Sequence, residues 1–342
     1  MTTVAQPLLT IDGLRVEFDS AEGSVAAVSE AGLSIRPGEI VGLVGESGSG
    51  KTLTCRSVIR LVPWPGRITA GHIEFDGRDV LAMNAKELRD LRARQVGMIF
   101  QDPFTSLNPV FRIGAQVMET LRLNLGVGKS EARTQMLALL RDVGIPDPER
   151  RALSYPHEFS GGMRQRVMIA LATASQPRLL LADEPTTALD VTTQAQILAL
   201  LVRLSKKRDL AVLLVSHDFG VISQVCDRVA VMYGGYIVES GPIDVLHRQT
   251  EHPYTRALLD AVPRLEAAGQ RTRLPGISGA PPQPTDLPSG CVFQPRCRFA
   301  RPGCEEVTMA LEQVGPGHET ACPMRPLATA DSAPAASAGA HG

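Results

Sequence analysis

The sequence predicts an α/β fold organised around a phosphate-binding loop, followed by a small irregular C-terminal unit. Three observations predict it. Gly45-Glu46-Ser47-Gly48-Ser49-Gly50-Lys51-Thr52 fills every fixed position of the pattern glycine, four variable residues, Gly-Lys-Ser/Thr. The apolar run Ile40 to Val44 precedes it and a helical pattern from Thr52 to Leu61 follows, so the order is strand, glycine loop, helix. Later apolar runs each end on residues able to do chemistry: Gln101, the pair Asp183-Glu184, and Ser216-His217-Asp218. From about Gln249 the periodicity fades and Pro, Gly and Cys take over.

Composition narrows the class. The chain has 342 residues, room for one large domain and a small second one, and its net charge is −1. That charge gives no bulk pull toward nucleic acid, and four Tyr with one Trp are too few for a stacking surface. No apolar run approaches the roughly 20 residues that span a bilayer. Residues 1–10 lack the basic-then-apolar pattern of a signal peptide, so the expected compartment is the cytosol. Six cysteines there are expected to be thiols or metal ligands rather than disulfides.

The elements follow in order. Leu8 to Phe18 reads as a strand, with Leu9, Ile11, Leu14, Val16 and Phe18 apolar, and Val25 to Ile35 as a second. Phe18 is either a core aromatic or a ring on which adenine stacks. In the phosphate loop the glycines let backbone N–H groups converge on phosphate oxygens. Lys51 would reach the β- and γ-phosphates and the Thr52 hydroxyl would ligate Mg²⁺. Gly71 to Gly77 reads as a strand running into an Asp-Gly turn, and Lys86 to Arg94 as a short charged helix. The strand Val96 to Phe100 delivers Gln101, and a loop with two prolines, 102–109, follows. From Ile113 to Val143 the pattern is helical, with Ser130 expected as an N-cap, which makes about 104–158 a helical insert. Ser160-Gly161-Gly162 opens the helix Met163 to Ala174, a second geometry suited to phosphate. Asp183 ends the strand from Leu179 and suits Mg²⁺ binding, and Glu184 beside it suits a base that orients water. Thr186 to Asp190 turns into a long helix, Gln194 to Arg208. His217, after the strand Leu210 to Val215, is expected to face the ligand. Val229 to Tyr233 and Tyr236 to Glu239 read as a hairpin, and a last helix runs from Arg256 to Val262. Cys55 and Cys226 read as core fillers.

Gly45 to Thr52, Gln101, Ser160-Gly161-Gly162-Met163-Arg164-Gln165, Asp183-Glu184, Asp190 and His217 stand in the order found in ATP-binding-cassette ATPases, over roughly 240 residues. Gln101 to Pro109, Met163, His252-Pro253-Tyr254-Thr255 and the tail from Pro281 to Cys322 resemble, more narrowly, the nucleotide-binding subunits of dipeptide and oligopeptide importers. The resemblance implies an ABC-type nucleotide-binding domain over 1–250, with an antiparallel β subdomain and a helical insert. It implies an extension of the oligopeptide-transporter type over 251–330, and 331–342 is expected to be disordered. It implies binding of ATP with Mg²⁺ through Phe18, Gly45, Ser47, Gly48, Ser49, Gly50, Lys51, Thr52, Gln101 and Asp183. Thr52, Gln101 and Asp183 would attend the Mg²⁺, with Glu184 as catalytic base and His217 steadying it. Ser160, Gly161, Gly162 and Asp190 would act across a head-to-tail pair of cassettes. The partners implied are a second cassette, similar but distinct or else a second copy of this chain, two permease subunits and, indirectly, an extracytoplasmic peptide-binding protein, at the cytoplasmic face of the inner membrane. The loop from Gln101 to Pro109 is expected to touch the permease.

Cys291, Cys297, Cys304 and Cys322 are separated by five, six and seventeen residues. Four thiolates can hold Zn²⁺ or a [4Fe–4S] cluster, and the spacing lacks the two-residue gaps usual for zinc. The resemblance favours the iron–sulfur cluster, with Zn²⁺ and plain thiols as alternatives. A cassette acting on nucleic acid or the ribosome is the competing reading. No sustained heptads between Leu53 and Phe159, a single cassette and the near-neutral charge argue against it.

Overall fold

The computed structural model describes residues 6–20, 23–101, 106–262 and 276–324. The chain opens with an antiparallel pair, β1 (Leu9–Ser20) and β2 (Gly23–Ile35), whose inward residues Leu9, Ile11, Leu14, Val16, Val28 and Ile35 are buried. Then come β3 (Ile40–Val44), the phosphate-loop segment and α1 (Lys51–Ser57). The helix is shorter than the apolar pattern suggests. Leu61 N–H bonds back to Arg56 O and Arg60 takes a φ of +51°, which turns the chain out after two turns. β4 (Gly66–Phe75) begins five residues before the pattern predicts, because its first half is paired with β1 while its side chains face solvent. β5 (Arg78–Asp79) and α2 (Ala85–Asp90), closed by an Asn84–Glu87 capping box, complete this antiparallel layer.

β6 (Val96–Ile99) leads to the helical insert: α3 (Ile113–Leu125), α4 (Lys129–Asp142) and the short α5 (Pro148–Arg151). Gly128, not Ser130, stands at the N-cap of α4, so the helix starts two residues early. Then follow α6 (Gly161–Ala172), β7 (Leu179–Asp183), α7 (Val191–Arg208), β8 (Ala211–Ser216), α8 (Phe219–Val225), β9 (Arg228–Tyr233), β10 (Tyr236–Pro242), α9 (Ile243–Arg248) and α10 (Pro253–Asp260). Caps place the starts of α6 and α7. Ser160 Oγ accepts Met163 N–H and Asp190 accepts Thr193 N–H, so both helices begin earlier than their apolar runs.

The sheet order is β5-β4-β1-β2-β10-β9-β3-β8-β7-β6. Strands β9, β3, β8, β7 and β6 are parallel neighbours, and β3, β7 and β8 are buried along their whole length. Their side chains alternate between two cores. Ile40, Val44, Leu180, Ala182, Val212 and Leu214 face the helical side; Val41, Leu43, Leu179, Leu181, Leu213 and Val215 face α1 and the antiparallel layer.

A C-terminal hairpin that the sequence reading did not foresee, β11 (Glu312–Gly315) and β12 (His318–Thr320), pairs onto β10 through Glu239↔Thr320 and Ser240↔Glu319. Val292, Phe293, Met309 and Ala321 enter the main core. The tail, too polar to form a core alone, borrows that of the preceding domain. The loop expected over 102–109 lies partly outside the described residues, as does the expected disordered tail 331–342.

Candidate functional site

The parallel strands β3, β8, β7 and β6 lie side by side and end at one edge of the sheet. The residues that follow them therefore meet: the phosphate loop, His217, Asp183-Glu184 and Gln101. Ligand sites of open α/β sheets form at this carboxyl edge.

In the phosphate loop, Ser49 N–H bonds to Glu46 O, and Gly48 and Gly50 take φ values of +82° and +105°. A side chain at Gly45 would come within 2.0 Å of Met232 O, so only glycine fits beside β9. Lys51 is buried, and its Nζ donates to Gly45 O and Glu46 O at 2.8 Å each. Burial lowers its pKa, opposed by the carboxylates of Glu184 and Asp183. The ammonium thus rests on weak neutral acceptors in a dry place, and phosphate oxygens are better partners.

Thr52 Oγ1 donates to Asp183 Oδ1 at 2.9 Å. Asp183 is fully buried, and burial raises its pKa against the Thr52 hydrogen bond. Among the described residues its Oδ2 has no hydrogen-bond partner. A buried carboxylate oxygen left open next to a threonine hydroxyl fits the oxygen-ligand chemistry of Mg²⁺.

Glu184 collects three contacts. Oε2 accepts from Thr187 Oγ1 at 2.8 Å and from Gln101 Nε2 at 3.1 Å, and Oε1 lies 3.3 Å from His217 Nδ1. Gln101 and His217 come from strands on either side of β7 and close on it from both flanks. The arrangement holds a carboxylate in place for proton transfer. Thr187 has no distinguishing signal in the sequence beyond its place in the turn after Glu184.

The other expected residues stand apart from this cluster. Phe18 is half-buried at the end of β1, with its ring against Gly66. Ser160, Gly161 and Gly162 open α6, which packs on α3, α4 and α7. Gly162 lies against Thr193 and Gly161 against Leu189, so this turn and the Asp190 cap form one neighbourhood. Within the chain Ser160 and Asp190 act as helix caps.

Two residues touch the phosphate loop from the C-terminal side, and sequence reading singled out only the run that holds the first of them. Tyr254 OH accepts Glu46 N–H at 2.8 Å, and Arg296 forms a two-pronged pair with the Glu46 carboxylate. His252-Pro253-Tyr254 was marked as a motif, but no local pattern points to Arg296, 250 positions from its partner.

Cys291, Cys297, Cys304 and Cys322 line one small cavity with His252, Phe293, Phe299 and Met324. Burial pushes the Cys297 thiol up to about 11 and raises those of Cys291 and Cys322. Among the described residues no three or more His, Cys, Asp or Glu are arranged to hold a metal ion. The tail thus gathers four sulfur donors, the soft set that suits iron–sulfur or zinc, without drawing them to ligating positions. Cys55 and Cys226 are buried in the two cores, as expected.

Comparison with known proteins places these features. The ABC transporter family model matches residues 28–187, and the oligopeptide/dipeptide transporter C-terminal region matches 238–304. The dipeptide transport ATP-binding protein DppD of Escherichia coli K12 is 44% identical over 315 residues, 92% of this chain and 96% of that protein. The oligopeptide transport ATP-binding protein OppD of Salmonella typhimurium is 47% identical over 318 residues, 93% of this chain and 94% of that protein. Among solved structures, the dimeric ATP-binding cassette MJ0796 with ADP and phosphate superposes with a TM-score of 0.62 at 27% identity, covering 69% of this chain and 98% of that one. The two peptide-transport relatives match this chain over more than nine-tenths of its length at 44% and 47% identity, and the chain belongs to the ATP-binding-cassette transport ATPases, the family that includes the dipeptide and oligopeptide transport ATP-binding proteins.

Proposed function

We propose that this chain is the ATP-hydrolysing subunit of an importer of dipeptides or oligopeptides, seated on the cytoplasmic face of the membrane beneath two separate permease subunits. The observation that carries the reading is the convergence of Lys51, Thr52, Asp183, Glu184, Gln101 and His217 at four adjoining strand ends. The near end-to-end likeness to peptide-transport ATP-binding proteins supports the substrate class. No described helix is long and apolar enough to cross a membrane, which fits a motor that hands its stroke to other chains.

The residues divide the work. Lys51 exchanges its bonds to Gly45 O and Glu46 O for oxygens of the β- and γ-phosphates. Mg²⁺, when held by Thr52 and Asp183 with Gln101 nearby, supplies charge neutralisation at those phosphates. Glu184 takes a proton from the attacking water, and His217 and Gln101 keep its carboxylate aimed. The bond from the β-phosphate oxygen to the γ-phosphorus breaks as water's oxygen adds in line, leaving ADP and inorganic phosphate. Phe18 stacks on the adenine. Ser160, Gly161, Gly162 and Asp190 serve the pocket of a second cassette, similar to this one but distinct, since they lie apart from the Lys51 cluster. Cys291, Cys297, Cys304 and Cys322 would hold a [4Fe–4S] cluster or Zn²⁺, which would supply a structural staple for a tail with little core of its own.

The domain reading remains a cassette over 1–250 and an extension over 251–330. A groove of about 240 Å³ lined by Leu61, Arg92, Met98, Phe100, Asn124 and Pro177 reaches the residue before Gln101 and suits a permease segment. Disruption of the gene tests the function. Uptake of labelled di- and oligopeptides should be lost and restored by the intact copy. Wild-type peptide uptake in the disrupted strain, or recovery of the tagged protein with ribosomes or DNA instead of membrane subunits, would overturn it.

A further inference from the structure

The phosphate loop is not supported by its own domain alone. Arg296 lies in a short turn of the C-terminal segment, directly before Cys297, and its side chain is only 5% exposed. Its Nη1 donates to Glu46 Oε2 at 2.5 Å and its Nη2 to Glu46 Oε1 at 3.0 Å. The same Nη1 lies 3.2 Å from Tyr233 OH, the guanidinium stands over the Tyr233 ring, and Nε donates to Ser278 O at 2.9 Å. The fork therefore has one orientation, fixed on both sides.

The backbone of Glu46 is held as well. Tyr254 OH accepts its N–H, while its carbonyl accepts Lys51 Nζ. Tyr254, Tyr233 and Phe293 pack ring against ring at centroid distances of 4.6 to 5.3 Å. When Lys51 moves to phosphate it leaves the carbonyls of Gly45 and Glu46. Ser49 N–H still holds the carbonyl of Glu46 from within the loop, while the side chains that grip Glu46, those of Tyr254 and Arg296, come from beyond residue 250.

We propose that Arg296, assisted by Tyr254, is a positioning residue for the nucleotide site, through which the C-terminal segment holds the phosphate loop in its ATP-binding shape. The inference rests on the nucleotide-binding reading of that loop. Arg296 touches Glu46 and not the reacting phosphate, so its loss weakens binding of ground state and transition state alike. KM for ATP rises and kcat stays.

The test uses the full-length chain titrated with Mg²⁺–ADP, and the complex purified with its membrane partners for turnover. Arg296→Ala should weaken nucleotide affinity and raise KM by about tenfold or more, as befits loss of a charged hydrogen-bonded pair, with kcat within about twofold. Arg296→Lys keeps the charge without the two-pronged grip and should fall between. Tyr254→Phe removes only the hydroxyl and should raise KM severalfold. Should Arg296→Ala fail to fold, Glu46→Gln decides in its place, with the same expected direction. Unchanged affinity and KM in the folded variants, even with a lowered unfolding midpoint, would overturn the inference and reduce the pair to a structural tie. A wild-type chain that binds no nucleotide would instead overturn the site reading beneath it.

Discussion

Glu184 holds a φ of +48°, a conformation that costs an ordinary residue about 1–3 kcal/mol and persists where neighbours enforce it. Its N–H bonds to Val215 O, so the β7–β8 ladder continues for one bond after the chain has left the strand. That turn sends the carboxylate toward Gln101, Thr187 and His217. Glu184→Gln should keep the shape and the contacts while losing the base. Phosphate release by the assembled complex should drop by about 100-fold or more, with nucleotide affinity retained. Wild-type turnover in that variant would remove Glu184 from the base role. The acid pair at a strand end was legible in the sequence because it followed an apolar run. Of its partners, Gln101 and His217 were legible only as separate strand ends, and Thr187 only as part of the turn that follows Glu184.

At the scale of elements, packing depends on a few close approaches. Gly97 on β6 lies under α6, and a side chain there would come within 2.1 Å of Ala172 O. Backbone cannot yield as a flexible side chain can. Gly97→Ala should destabilise the fold by about 1–3 kcal/mol, read as a lower unfolding midpoint in denaturant. An unchanged midpoint would mean that β6 and α6 separate freely. Strand identities were readable from apolar runs, since buried parallel strands need them. Ends were less so. Ser160 and Asp190 set helix starts by side-chain bonds that an apolar pattern does not contain, and β4 pairs along a stretch with little burial to mark it.

For the whole molecule, the tail is built into the sheet. His252 caps α10 through Nδ1, which accepts Tyr254 N–H, and burial depresses its pKa to about 4 despite the nearby Glu239. The unfolded imidazole takes a proton near its ordinary value of 6.5. Between these two values the unfolded chain binds more protons, so stability falls as pH falls from about 6.5 toward 4, by at most about 3 kcal/mol. Denaturant unfolding at pH 7 and pH 5 should show this loss in the wild type. The loss should be smaller in His252→Asn, which can still cap the helix; an equal loss in both would mean another group carries it. Glu239 binds the tail from the other side, accepting Glu251 and His252 N–H while lying 2.9 Å from His318 Nε2.

The nucleotide chemistry was legible without any tertiary information. A phosphate loop, an acid pair and a histidine each follow an apolar run, and in a parallel sheet such runs end at one edge. The sequence also set the cassette architecture and the presence of a different kind of tail, because periodicity and cysteine content are local properties. Tertiary structure decided what joins the two. The pairing of β12 with β10 and the grip of Arg296 on Glu46 link residues from 79 to 250 positions apart, and the same docking gathers the four cysteines around one cavity with His252. Contacts at that distance leave no mark in local spacing. They arise because a segment too poor in apolar residues to fold alone gains its burial by docking on the domain that precedes it.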